Sequence, residues 1–301
     1  MALTFDKSKK VSETLEKTQG RSLTQDAMRR FKRNKLAMVS VYIFIFLLLV
    51  AIIGPFVWPH PFDEVFWDSI GAGPKAESMH YFGFDVNGRD MVARIISGLG
   101  TSLIVAGIAT SVSIVVGVSY GAISGYLGGR VDEIMMRFVD VMYALPYILF
   151  IILLQVIFGR HLVLLFVGIG LLEWITMARI VRGQTLSLKE KEFVEAAKAA
   201  GRSPLQIIFQ HIIPNLIGPV VIYATLTVPE IILTESFLSF IGFGVQESDG
   251  ASLGTLINQG AERIGVYWWM FVFPAIILIT LLFSLIFIGE GLRDAFDPKD
   301  R

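Results

Sequence analysis

No cysteine occurs in the 301 residues, which removes disulfides, thiolate metal sites and cysteine nucleophiles together. The four histidines, His60, His80, His161 and His211, are too scattered for an HxxxH or similar ligand spacing, so no metal is expected. No Gly-Lys pair exists. With it goes the glycine-rich loop ending Gly-Lys-Ser/Thr that cradles ATP phosphates at a helix N-terminus. No GxSxG, HExxH or carboxylate pair stands in a convincing context, so a membrane-bound hydrolase lacks support and no catalytic residue is assigned. Charge is scarce too: 17% of residues, where a soluble domain carries about a quarter. The formal net charge is zero, so no basic field argues for nucleic acid.

What is present is apolar: 54% hydrophobic residues and a mean hydropathy of +0.64 place the chain in a bilayer. Uncharged runs long enough to cross about 30 Å of hydrocarbon predict an all-α integral membrane protein with six transmembrane helices, at about 36–58, 99–122, 138–158, 162–181, 216–240 and 266–288. Pro146 breaks the third span, and the short FGRH makes a tight hairpin between the third and fourth. Residues 1–35 are a polar tail with ten Lys or Arg, too long and too charged for a cleaved signal peptide, so the first span is an uncleaved anchor. From Ser22 the tail reads as an interfacial helix on anionic lipid: Ser22 and Gln25 form a capping box, Leu23, Ala27 and Phe31 are apolar, and five basic residues follow. Between spans one and two, Asn87-Gly88 reads as a turn and Asp90 as a helix start.

Six spans put both termini on one side. Counting Lys and Arg loop by loop gives 21 on that side and 5 on the other, so both termini and the 4/5 loop are cytoplasmic by the positive-inside rule.

That loop, from Glu192 to Asn215, is the chain's main polar insertion. Phe193, Ala196, Ala197 and Ala200 form one apolar stripe, and Gly201 stands where a helix takes its left-handed cap. Ser203, Pro204 and Gln206 then start a second helix with a capping box, whose stripe is Leu205, Ile208, Phe209 and Ile212; Pro214 and Asn215 end it. Two short helices with one apolar face each, joined at a glycine, need a groove to receive them. The pattern predicts a docking element.

Glu195, Ala196, Ala197, Gly201 and Pro214 keep the spacing of the EAA loop, and the loop resembles that of bacterial ABC importer permeases. His211 and Ile213 stand where Ile and Leu are commoner. The resemblance continues through HYFGFDVNGRD at 80–90, SGYLGGRVDEIMMR at 124–137, ARIVRGQTLSLKEKEF at 178–193, ESFLSFIGFG at 235–244 and GEGLRDAFDPKDR at 289–301, which look like the C-type permease of oligopeptide and dipeptide importers. Phe84 replaces a usual Thr. The resemblance implies a non-enzymatic subunit of an ATP-driven peptide importer of the bacterial inner membrane. It would pair with a second, B-type permease, two ATP-binding subunits and a periplasmic peptide-binding protein. ATP would be bound by those partners, with Glu195 offered to a basic residue of an ATPase cleft and the alanine pair allowing close approach.

Other residues read more locally. Gly117, Gly121 and Gly125 form a tandem GxxxG, a face for close packing on another helix. Asp140, Glu173, Glu230 and Glu235 lie in or beside spans, where an isolated charge is costly. Asp140 and Glu235, near span ends, suit structural pairing, whereas Glu173 and Glu230 sit deeper, as candidates for a translocation path that meets a peptide amino terminus or basic side chain. The rival function is a self-sufficient proton-coupled peptide transporter using those carboxylates as its relay.

Overall fold

The computed structural model describes residues 23–75, 79–160, 162–245 and 250–296. Ser22 of the expected capping box lies outside them, as do His161, Glu247 and Asp249 of the polar links. Among the described residues the chain is helical apart from short links and the longer segment at 58–90, which holds one 3-10 turn and three isolated bridges. In order the helices are α1 (Leu23–Arg33), α2 (Lys35–Val57), α3 (Met91–Leu127), α4 (Gly129–Ala144), α5 (Tyr147–Phe158), α6 (Leu162–Lys189), α7 (Glu192–Ala199), α8 (Pro204–Phe240), α9 (Leu253–Ala261) and α10 (Trp269–Phe296).

Five of these, α2, α3, α6, α8 and α10, are long and apolar enough to cross a bilayer. The expected span at 138–158 is two helices instead. The first begins at Gly129, and α4 and α5 meet at an angle of 80°. Pro146 caps α5, and because the residue before a proline avoids the helical region, Leu145 is extended with ψ 137°. Counted as one bent span, the pair makes six; α5 alone, at 12 residues and about 18 Å, is too short to cross.

Of the other spans, α2 matches its expected bounds within one residue and the remaining four outrun their uncharged cores. Helix α3 starts at the expected helix start, with Asp90 capping it through the Ala93 N–H at 2.8 Å. This is eight residues before the uncharged span expected from 99, and Arg94, charged but buried in that first part, is neutralised by Asp85. It stops at Gly128, which takes φ +67°. Helix α6 continues past 181 to Lys189, and α10 runs to Phe296.

The centre is the α3–α6 pair. A β-carbon at Gly117 would lie 2.6 Å from Met177 Cβ, one at Gly125 2.9 Å from the Arg182 carbonyl oxygen, and one at Gly121 would overlap the Ala178 carbonyl. Gly170 repeats the approach from α6, 2.9 Å from Val112 Cβ. Backbones meet where side chains are absent, which brings many weak dispersion contacts into range in a solvent that gives apolar helices no hydrophobic drive. Helices α8 and α10 pack around this pair, and Ile231, Ile232, Leu238 and Leu281 are fully buried between them.

Candidate functional site

Helix α7 begins without a side-chain cap, carries Glu192 and Glu195 in its first turn, and ends in a Schellman motif. Gly201 has φ +76°; its N–H donates to the Lys198 carbonyl at 3.0 Å, and the Arg202 N–H reaches back to the Ala197 carbonyl at 3.1 Å. Two residues on, Ser203 and Gln206 form the reciprocal capping box, Ser203 N–H donating to Gln206 Oε1 at 3.0 Å and Gln206 N–H to Ser203 Oγ at 3.4 Å. Pro204 occupies the first position of α8. The turn between the helices is thus specified residue by residue.

The buried faces differ from the expected stripes. On α7 the residues turned inward are Val194 and Ala197, whereas Phe193, Ala196 and Ala200 are exposed. On α8 they are Ile207, Ile208 and Ile212, whereas Leu205 is 60% and Phe209 55% exposed. The inward set packs with Val118, Ala122 and Tyr126 of α3 and with Met177 and Val181 of α6. The loop is therefore seated on its own spans and still presents Phe193, Leu205, Phe209, Ala196 and the Glu195 carboxylate outward.

Pro214 does not end a helix. Residues Ile208–Ile212 form a π-helical stretch, in which the Ile213 N–H bonds back five residues to the Ile208 carbonyl. The wider turn accommodates the proline ring, and the helix runs on unbroken from Pro204 to Phe240. The loop's second helix is the first part of a span. Asn215 Nδ2 donates to the His211 carbonyl at 2.6 Å beside the proline.

The intramembrane carboxylates separate into three settings. Asp140 pairs with Arg179 at 2.8 Å, whose guanidinium also lies 4.2 Å over Tyr143; one helical turn towards Lys189, Arg182 grips Asp132 through Nε and Nη2 at 2.6 Å each. These two α4–α6 ion pairs hold the polar face of α4 against α6. Glu235 is fully buried among hydroxyls, accepting from Ser239 at 2.6 Å and Ser102 at 3.1 Å, where α3, α8 and the start of α9 meet. Glu173 of α6 and Glu230 of α8 line one cavity of about 570 Å³ together with Tyr143, Leu145, Tyr147 and Thr234. That cavity opens at the 80° break, so the bend at Pro146 and the two deep acids belong to one place.

A second polar assembly went unassigned from sequence. In HYFGFDVNGRD, Asp85, Asp90 and His80 are buried with Arg94. Asp85 accepts from Arg89 Nε at 2.7 Å, from two backbone N–H groups at 2.8 Å and from Arg94, which also reaches Gln259 of α9 at 3.0 Å. Asp90 holds His80 Nδ1 at 2.7 Å and Trp58 Nε1 at 3.1 Å while capping α3. The network ties the end of α2, the start of α3 and α9 together. Its sequence signal was an Asp and an Arg four apart, followed at once by an Asp capping an apolar run.

The model of binding-protein-dependent transport system inner membrane components matches residues 117–301, and that of the N-terminal TM domain of oligopeptide transport permease C matches residues 22–74. The oligopeptide transport system permease protein OppC of Escherichia coli (strain K12) is 48% identical over 98% of this chain and 99% of its own. The protein of the same name from Haemophilus influenzae is 47% identical over 97% and 94%. The dipeptide transport system permease protein DppC of Bacillus subtilis is 43% identical over 93% and 87%. Among solved structures, a chain of the MetNI methionine ABC transporter in an inward-facing conformation superposes with a TM-score of 0.56 at 20% identity, covering 68% of this chain and 97% of that one, which shows the shared fold. The chain belongs to the binding-protein-dependent transport system inner membrane components, as a C-type permease of the oligopeptide and dipeptide transport group.

Proposed function

We propose that this chain forms half of the membrane pathway of an ATP-driven peptide importer. It is coupled through Glu195, Ala196, Ala197, Gly201 and Pro214 to ATP-binding subunits on the cytoplasmic side, where both termini also lie. The carrying observation is a capped helix-glycine-helix that exposes Phe193, Leu205 and Phe209 and whose second helix continues into a span. A partner that moves this element moves α8 with it. Chemistry then resides in the partners: two ATPase subunits bind ATP, a second, B-type permease completes the pathway, and a periplasmic binding protein delivers peptide. The chain itself is not an enzyme. Glu173 and Glu230 line the pathway side, where their shared cavity suits a peptide ammonium or basic side chain.

Co-purification after mild solubilisation, followed by reconstituted uptake, tests the reading. Gly201→Val should insert normally yet lose uptake, with the ATPase subunits lost or their hydrolysis insensitive to peptide. Normal uptake by that variant would overturn the coupling role.

One observation favours the rival, proton-coupled reading: two acids share a cavity inside the membrane. A proton relay stops when its acid becomes an amide, whereas an ATP-driven path tolerates the change. Glu173→Gln and Glu230→Gln, made separately, are expected to keep substantial uptake that requires ATP and no proton gradient. Acid-driven accumulation by this chain alone, abolished by either variant, would replace the importer reading.

A further inference from the structure

Helix α1 plays no part in the coupling just described, and its end meets α2 and α10 around a cavity of about 350 Å³. Ala27 and Phe31 hold it down, buried with Ala37 of α2 and Ala295 of α10; a β-carbon at Gly291 of α10 would lie 2.5 Å from Ala37 Cβ. At 100° per residue, that seam turns Arg29, Lys32 and Arg33 to the exposed side and leaves Arg30 half-buried at its edge. Asn34 then bends the chain: its N–H donates to the Phe31 carbonyl at 3.0 Å, and its Oδ1 caps α2 by accepting from the Ala37 N–H at 3.1 Å.

Arg30, Arg33 and Asn34 line the cavity from one side, Asp294 and the backbone at Gly291 from the other. Neither guanidinium has a hydrogen-bond or ion-pair partner among the described residues. Around them Arg29, Lys32, Lys35 and Arg293 add positive charge, opposed by Asp26, Glu290 and Asp294. One turn further along, Leu36 and Val39 are each 54% exposed and begin the outward apolar surface that α2 carries through the bilayer. The two arginines therefore stand at the depth of lipid headgroups.

We propose that this cavity is a binding site for the phosphodiester of an anionic phospholipid. Arg30 and Arg33 supply forked donors that match phosphate oxygens, and Arg29, Lys32 and Lys35 supply the surrounding field. A bound lipid would clamp α1 against the α2–α10 junction, and the acyl chains would lie along the apolar face of α2.

The test titrates the detergent-solubilised full chain with phosphatidylglycerol or with phosphatidylcholine of identical acyl chains, and reads bound lipid by native mass spectrometry. Phosphatidylglycerol should be retained at least about tenfold better. Each charge removed should cost about fivefold, so Arg30→Gln with Arg33→Gln should erase the preference and Asp294→Asn should strengthen it. The lysine pair, Arg30→Lys with Arg33→Lys, keeps the charge and should retain part of the preference, which separates lost recognition from lost folding. Equal retention of the two lipids by the unaltered chain would overturn the proposal, as would a preference that survives the glutamine pair. Displacement of phosphatidylglycerol by millimolar glycerol phosphate would also overturn it, by showing a site for free phosphate.

Discussion

At the α3–α6 seam glycine makes room: a β-carbon on Gly121 would overlap the Ala178 carbonyl, though its own backbone is ordinary helix. At the α7–α8 junction glycine supplies an angle, φ +76° at Gly201, with nothing within 4 Å of where a β-carbon would sit. The same residue type thus solves two different problems. A substitution at the seam must push two helices apart, and the cost spreads along both. A substitution at the junction strains one residue and one turn, leaving the spans in place. Sequence spacing alone, GxxxG in one case and a lone Gly after an alanine-rich helix in the other, already separates the two uses, because only the seam repeats.

Substitutions at four positions sharpen or break this contrast, ranked by expected loss of stability. Gly121→Leu should be the worst, about 3 kcal/mol or more, since a rigid backbone contact cannot yield to a side chain; a melting midpoint in detergent that stays unchanged would end the packing account. Gly201→Val should cost about 1–2 kcal/mol from the left-handed angle alone, and Gly201→Asn distinctly less, because Asn tolerates that region. Equal losses for Val and Asn would mean that space, not angle, sets the requirement. Ser203→Ala, which removes one half of the capping box at an exposed helix start, should cost about 1 kcal/mol. Glu195→Lys should leave thermal stability nearly unchanged, since the side chain is exposed, while uptake falls if the carboxylate meets a cation on an ATPase subunit.

The spans were legible because bilayers punish charge, so uncharged runs mark them without any knowledge of packing. Their ends were less so. The uncharged run placed the second span from 99, while the helix start read at Asp90 is the true one: Asp85 neutralises Arg94 from outside the helix and lets α3 begin at Met91. Helix α4 was hidden for a similar reason, two of its carboxylates, Asp132 and Asp140, being paired with Arg182 and Arg179 some forty to fifty positions away. In the 192–215 loop the caps were readable from local chemistry, whereas the buried face was readable only in part: Ala197, Ile208 and Ile212 of the expected stripes are buried and the rest of those stripes is exposed. Each helix has apolar residues on more than one side, and only the surface offered by α3 and α6 selects Val194, Ala197, Ile207 and Ile208. Pro214 was misread as a stop because a π-helical turn, set by the backbone and invisible in composition, makes room for it. That Glu173 and Glu230 share a cavity depends on how α6 and α8 rotate about their axes, which no single-helix pattern encodes.

Continuity of α8 has a mechanical consequence. Its 37 residues form a rod about 55 Å long with one end at Ser203, outside the apolar core, and the other at Phe240. A rigid rod of that length, tilted by about 10° about one end, would sweep the other end through about 10 Å. Pro219 and Pro229 interrupt the rod's hydrogen bonding at two points, the second directly before Glu230. The π-helical stretch at Ile208–Ile212 and Pro214 loosen the end nearest the loop as well, so a tilt imposed there would be spread over several yielding points, the last of them beside the acid-lined cavity.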